Sequence, residues 1–116
     1  MTHEERKLTK IVEELTLYFF AVGADHIRSD IDRKKAETVI TFHANFQPDC
    51  KAELRNLDKY LNGVKNDGIE DIYWELAGSG DPGESSQLLL IGMMIDRADI
   101  RLDEDRIQLT LYKKPL

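Results

Sequence analysis

Two histidines, His26 and His43, lie in stretches where apolar and polar residues alternate, as they do in the strands of a half-buried hairpin. If that hairpin pairs Ile27 with Phe42, then His26 lies opposite His43 on the polar face, with β-carbons about 5 Å apart. Two imidazoles at that spacing can share a metal ion such as zinc. Two ligands do not complete a zinc site, so the favoured interpretation is a pair of solvent-exposed strand histidines.

The stretch Gly-Ser-Gly-Asp-Pro-Gly is the second candidate for chemistry. Gly78, Gly80 and Gly83 would let backbone amides approach a phosphate in front of a helix N-terminus. The lysine of a P-loop is absent, and Asp81 and Glu84 place negative charge where the phosphate would lie. An ordinary flexible loop is therefore the favoured interpretation of this segment.

Cys50 and Trp74, each the only residue of its type, are the remaining candidates. A thiol near a helix N-terminus can have a lowered pKa and become reactive, but Cys50 falls on an apolar stripe, which favours packing. Trp74 follows Tyr73 on a short predicted helix; it either anchors a protein partner or, more often for such a residue, closes the rim of the core. The standard hydrolase, zinc-protease and dinucleotide-binding motifs are absent from the sequence, which argues against catalysis.

The clearest element that could position these residues is an N-terminal helix. Thr2 can cap it, and Glu5, three residues later, completes a capping box. Gly23 is suited to end the helix, because glycine readily adopts the left-handed conformation that follows a last turn. Between them an apolar stripe recurs at helical spacing: Leu8, Ile11, Val12, Leu15, Tyr18, Phe19 and Val22.

The rest of the chain predicts two hairpins with helices between them. The fourth helix should be the most buried, because its residues from position 88 onwards are almost all apolar. The end of the third helix could instead be a strand. In chain order the predicted elements are a hairpin over 27–46, helices over 48–63, 67–76 and 85–95, and a hairpin over 100–111.

An internal match supports this arrangement. Residues 14–33 lie over residues 87–106 without a gap, and each copy predicts a helix followed by a hairpin, although chance likeness explains the match equally well. Two hairpins with one apolar face each can join into one sheet that helices cover on that side only. We therefore predict a single α+β domain over residues 1–116, a two-layer sandwich with a mainly antiparallel four-stranded sheet, in the order αββ-α-α-αββ. Its uncovered face would present Arg28, Asp30, Thr41, His43, Asn45, Gln108, Thr110 and Tyr112.

Composition limits the possible partners. The chain has 116 residues and a net charge of −6, which opposes nonspecific binding of nucleic acid, since that requires a basic surface. It contains no apolar run long enough to cross a membrane and no signal-peptide-like start, and its single cysteine cannot form an internal disulfide. We expect a cytoplasmic protein that binds neither nucleic acid nor membranes.

The order of elements resembles the histidine-kinase-like ATPase (GHKL, or Bergerat) fold, above all its small anti-sigma-factor members. Residues 11–15, with Glu14, look like the start of that family's first nucleotide-binding helix. Residues 78–95 are similar to its glycine-containing loop and the helix that follows the nucleotide lid. The hairpin over 27–46 and the final residues 109–114 lie where the family has a hairpin and its closing strands.

The resemblance implies ATP and magnesium as ligands, with Glu14 and the glycines Gly78, Gly80 and Gly83 as nucleotide-binding residues. The family's magnesium-holding asparagine, one turn after the helix glutamate, has no counterpart at Tyr18 or its neighbours. The stretch Asn-Phe-Gln-Pro-Asp replaces the Asp-x-Gly-x-Gly turn that recognises adenine in the family. The resemblance therefore implies the fold with a degenerate nucleotide site.

We therefore predict a non-catalytic regulatory or protein-interaction domain with a histidine-kinase-like ATPase fold and no cofactor. A protein partner, or a second copy of the chain, would bind the polar sheet face or the region around Trp74. The alternative is an active ATP-binding protein of the anti-sigma-factor serine-kinase type, which would require magnesium.

Overall fold

Two β-hairpins share one four-stranded antiparallel sheet, as the sequence predicts. A computed structural model describes residues 1–66 and 82–114 of the chain. The sheet order is β1-β2-β4-β3, so the hairpins meet along β2 and β4, and the predicted α+β class is confirmed. The elements are α1 (His3–Ala21), β1 (Ile27–Arg33), β2 (Thr38–Asn45), a 3-10 turn (Pro48–Cys50), α2 (Lys51–Leu54), α3 (Leu57–Asn66), α4 (Pro82–Met94), β3 (Arg97–Leu102) and β4 (Arg106–Lys113).

Local signals set both ends of α1. The Thr2 hydroxyl accepts a hydrogen bond from the Glu5 N–H at 3.1 Å, and Glu5 Oε1 accepts one from the Thr2 N–H at 2.8 Å. Gly23 has a φ of +86°, a conformation that side chains rarely adopt, and a β-carbon there would also collide with Gln47. The predicted capping box and the predicted stop are both confirmed.

The core lies between the sheet and the helices that the structure describes, which all pack against the same sheet face. The apolar stripe of α1 packs on the central strands, where the rings of Phe19 and Phe42 are 5.6 Å apart. Full burial of each such side chain stabilises the fold by about 1.5–3 kcal/mol. The inward apolar side chains of β2 and β4 are all buried: Ile40, Phe42, Ala44, Ile107, Leu109 and Leu111.

Two helices differ from their predictions. The expected helix over 48–63 is divided into a 3-10 turn, α2 and α3, and α3 continues past Gly63 to Asn66. The expected start of α4 at Ser85 or Ser86 is wrong, because the helix begins at Pro82, a residue suited to the first helical turn. The helix expected over 67–76 lies outside the described residues.

The fourth helix is also less buried than its composition predicts. Leu88, Leu89 and Ile91 are buried, but Leu90 and Met93 on its outer side are exposed. The apolar stretch therefore packs against the rest of the protein on one side only, because the helix lies in the outer layer of a two-layer fold.

The register of the first hairpin differs from the expected one by two residues. Ile27 pairs with Ala44 rather than with Phe42, and the turn is closed by the Lys34 N–H, which donates to the Glu37 carbonyl at 3.0 Å. A slip of two residues keeps each side chain on its own face, so the alternating pattern cannot distinguish the two registers.

Candidate binding site on the open face of the sheet

The sheet face opposite the helices carries polar and charged side chains, and we call this surface the open face. Strand alternation places on it all eight residues that the sequence predicts there. Asn45, the last residue of β2, lies at the margin of the open face. Strand β3 adds Asp99 and Arg101, which pair with Thr110 and Gln108 of β4. The open face therefore draws side chains from all four strands.

One row of side chains crosses the whole sheet. Arg28 pairs with His43, His43 pairs with Gln108, and Gln108 pairs with Arg101. Paired side chains on neighbouring strands stand about 5 Å apart at their β-carbons. These four residues, which we call the cross-strand row, bring an arginine from each edge strand into line with a central histidine and glutamine.

Two adjoining depressions lie along the cross-strand row. The first, of about 530 Å³, is lined mainly by residues of β1 and β2, including Arg28, and by His26 just before β1. The second, of about 360 Å³, is lined by residues of β2, β3 and β4 and of the turn between the last two, including Arg101. His43 and Arg106 line both. The basic groups of the row therefore surround a continuous concave surface.

Asn45 fixes the edge of this surface next to His26. Its Oδ1 accepts hydrogen bonds from the backbone N–H groups of Asp25 and His26, both at 3.0 Å, and its Nδ2 donates to the Asp25 carboxylate at 2.5 Å. These bonds hold the entry into β1 against the end of β2, so the position of His26 beside the first depression is well defined.

The two ends of the open face differ in charge pairing. At one end the Arg97 guanidinium lies 3.3 Å from Asp99 Oδ2 and stacks over the Tyr112 ring at 3.8 Å. At the other end, in the part of the chain that the structure describes, the guanidinium groups of Arg28, Arg101 and Arg106 make no ion pair or hydrogen bond. These three positive charges are available to a ligand.

His26 and His43 do not face each other as the sequence predicts. Arg28 lies opposite His43, and the His26 carbonyl accepts the Asn45 N–H at 3.3 Å. Both histidines nevertheless line the first depression. Within residues 1–66 and 82–114, no group of three or more His, Cys, Asp or Glu side chains is arranged to hold a metal ion. The directly opposite placement of His26 and His43 is therefore wrong, whereas the shared metal ion itself stays a prediction.

Of the four residues assigned to a nucleotide site, the structure describes Glu14 and Gly83. Glu14 lies on α1 with its side chain 15% exposed, and Lys10 Nζ is 2.8 Å from its Oε1. Gly83 lies in the first turn of α4, not in a loop as predicted. Gly78, Gly80 and Trp74 lie outside the described residues.

Arg101 and Arg106 are candidate binding residues that the sequence alone does not single out. Their outward direction follows from the alternation of Ile100, Leu102 and Ile107, which was available in the sequence. The sequence pattern does not predict that they lie beside Arg28 and His43, because that depends on β4 pairing with β2.

A second exposed feature lies on the helical side. Helix α1 exposes Leu17 and Phe20, and α4 exposes Leu90 and Met93, with Phe20 reaching 60% exposure. The internal sequence match lays Leu17 over Leu90 and Phe20 over Met93, so the two helices expose large apolar groups at corresponding positions. Exposed apolar groups of this kind are frequent where proteins associate.

Scans against protein-family models and curated protein sequences give no match to this chain. Among the described residues, no helix combines the length and the apolar character needed to cross a membrane.

Proposed function

We propose that this chain is a non-catalytic regulatory domain that binds a protein partner through the open face of its sheet. The observation that carries the proposal is the set of three unpaired arginines, Arg28, Arg101 and Arg106, around a concave polar surface. An unpaired, solvated guanidinium group contributes little to folding, whereas it gains charge-assisted hydrogen bonds when an acidic group binds.

The resemblance to histidine-kinase-like ATPases fits this proposal as a scaffold whose nucleotide site is degenerate. The active alternative requires Glu14 to serve nucleotide chemistry, but its carboxylate is already engaged by Lys10 at 2.8 Å. It also requires a magnesium-binding asparagine one helical turn later, where Tyr18 is buried in the core.

Thermal unfolding with ATP and magnesium separates these two functions. A ligand at a hundredfold excess over its Kd stabilises a folded protein by about 2.7 kcal/mol, which raises the Tm clearly. We expect no change in Tm. A dose-dependent increase that is lost in the Glu14→Gln variant would favour the ATP-binding alternative.

Site-specific photo-crosslinking tests the open face itself. A photoreactive amino acid replaces Thr110, which pairs with Thr41 at the centre of the open face, and the matched control carries it at Leu17 on the helical side. In extracts of the native host we expect specific protein adducts from position 110 and few from position 17. Adducts confined to position 17 would assign partner binding to the exposed apolar groups of α1 and α4 instead.

A further inference from the structure

We infer that the cross-strand row binds an extended acidic peptide segment of a partner protein, running across the strands from Arg28 to Arg101. This inference rests on the proposed function and specifies the chemistry of the partner. Charge complementarity is its first support, because three arginines without ion-pair partners among the described residues, Arg28, Arg101 and Arg106, line the two depressions, where they outnumber the carboxylates of Asp30 and Asp103. Guanidinium groups bind carboxylates through two parallel hydrogen bonds, which favours acidic side chains.

The spacing of the row is its second support. Arg28 and Arg101 are separated by three strand-to-strand steps of about 4.8 Å each, or roughly 14 Å in all. An extended peptide advances about 3.4 Å per residue, so acidic residues about four positions apart reach both arginines. The residue midway between them lies over His43 and Gln108, where a polar side chain finds hydrogen-bonding partners.

The same spacing argues against a small free anion as the ligand. The backbone positions of Arg28 and Arg101 stand about 14 Å apart, so one phosphate or carboxylate group would contact both only if the two side chains extended towards each other, whereas two separate acidic groups need no such rearrangement. The acidic neighbours of the row argue against nucleic acid, because Asp30 lines the first depression and Asp103 the second. A continuous phosphate backbone would be repelled by these carboxylates, whereas a peptide can present neutral residues to them.

Fluorescence anisotropy with short fluorescein-labelled peptides at low ionic strength provides the test. One peptide carries glutamates four positions apart in an extended Thr/Ser background, a second carries them two positions apart, and a third has glutamine in both places. We expect the first peptide to bind most tightly, with affinity that falls as salt is added. Equal binding of all three peptides, or of none, would overturn the inference.

Matched arginine variants assign the binding to the row. We expect R28Q and R101Q to weaken the first peptide about two- to fivefold each, the range of an exposed ion pair. R97Q is the control, since it removes an arginine from the same face that is already paired with Asp99. Equal weakening by R97Q would contradict the inference, as would tighter binding of a single-stranded oligonucleotide or displacement by an equimolar amount of inorganic phosphate. Circular dichroism verifies that each variant is folded.

The triple variant R28Q/R101Q/R106Q separates this inference from the proposed function. If crosslinking from position 110 is lost in the triple variant, both stand. If crosslinking persists unchanged, a partner binds the open face without recognition of acidic groups, and only the inference fails. Sedimentation at several protein concentrations tests whether a second copy of the chain binds the open face instead. Self-association of the wild type that the triple variant lacks, with no binding of any other protein, would overturn the assignment to a partner.

Discussion

The Asn62 side chain pairs with both backbone polar groups of Ala98. Its Nδ2 donates to the Ala98 carbonyl at 2.9 Å, and its Oδ1 accepts from the Ala98 N–H at 2.8 Å. Ala98 lies in β3, an edge strand, so Asn62 forms the two bonds that a further strand would form there. Unpaired edge strands promote association between sheets, and this side chain covers part of that edge from α3.

We expect Asn62→Ala to destabilise the protein by about 1–3 kcal/mol, because it leaves a partly buried N–H and carbonyl without partners. Urea unfolding measures the loss as a lower midpoint. Asp58→Ala is the matched control, since it removes the 2.6 Å bond between Asp58 and Asn62 and a favourable charge in the first turn of α3, but leaves the Ala98 pair in place. Equal losses in the two variants would mean that the Ala98 pair is not the important contact.

A largely buried ion pair joins the start of α1 to the end of β4. Lys113 Nζ lies 3.1 Å from Glu4 Oε1, with the two side chains 6% and 15% exposed. Removing one partner leaves the other charge buried alone, so we expect Lys113→Met to cost about 3–5 kcal/mol in unfolding free energy. The double variant Glu4→Leu/Lys113→Met should recover most of that loss, because an apolar pair avoids the desolvation of both charges.

Urea unfolding of Glu4→Leu, Lys113→Met, the double variant and the wild type forms a double-mutant cycle, which measures the coupling free energy between Glu4 and Lys113. A double variant as unstable as the sum of its single variants would show that Glu4 and Lys113 act independently.

Gly92 is required where α4 crosses α3. A β-carbon at this position would lie 2.6 Å from the Tyr60 carbonyl oxygen and 3.0 Å from that of Leu61, and backbone atoms cannot move aside as a flexible side chain can. Overpacking of this kind costs about 1–3 kcal/mol, whereas alanine gains about 1 kcal/mol over glycine in a helix. We therefore expect a net loss of stability in Gly92→Ala and a larger loss in Gly92→Ser.

Gln87→Ala serves as the control for the effect of Gly92, because Gln87 is exposed on the same helix. It should change the unfolding free energy by no more than about 0.5 kcal/mol. A Gly92→Ala protein more stable than the wild type would mean that the two helices separate at little cost.

The capping box makes part of the stability depend on pH. Hydrogen bonds from the backbone and then the side chain of Thr2, together with the Arg33 charge 3.5 Å away, lower the pKa of the Glu5 carboxyl. A group with a lowered pKa in the folded state stabilises the protein at neutral pH, and that contribution is lost as the pH falls through the folded pKa. The Tm difference between the wild type and Glu5→Gln should therefore shrink as the pH is lowered below the ordinary pKa of a glutamate, about 4.3. A difference that stays constant would contradict this linkage.

The parts of the fold that the sequence predicts are those that local interactions determine. Thr2, Glu5 and Gly23 determine the two ends of α1 without help from the rest of the chain. Along each strand, the alternation of apolar and polar residues predicts which side chains face the helices and which face away. The sequence predicts the residues of the open face for the same reason, because the face on which a strand residue lies does not depend on which strand is its neighbour.

The parts that the sequence does not predict depend on how the elements meet. The internal sequence match aligns Ile27 with Ile100. When the strand pairs are instead counted from the turn of each hairpin, the residue equivalent to Ile100 is Ile31, since the Ile31–Ile40 pair corresponds to the Ile100–Leu109 pair. The match follows the helices, which end at Ala21 and Met94, whereas the connection from α4 to β3 is shorter than that from α1 to β1. The grouping of Arg28 with Arg101 likewise depends on strand order, which single-residue patterns do not encode.

Cys50 should be an unreactive thiol despite its place beside a helix N-terminus. Partial burial raises the pKa of this thiol, and the negative charges of Asp49 and Glu53 raise it further. The Sγ lies 3.9 Å from Asp49 Oδ1, so ionisation of the thiol would place two negative charges side by side. Because the thiolate is the reactive form, we expect alkylation by iodoacetamide at neutral pH to be slower than that of glutathione, and its rate to rise only at higher pH than for a free thiol.

The carboxylates supply the control for Cys50. Asp49→Asn and Glu53→Gln each remove a negative charge near the sulfur, so both should lower the thiol pKa and speed alkylation at neutral pH. The double variant should react faster than either single variant, but still more slowly than the unfolded chain, because burial of the thiol remains. Rapid labelling of the wild type at neutral pH, unchanged in these variants, would show that the helix N-terminus controls the reactivity of Cys50.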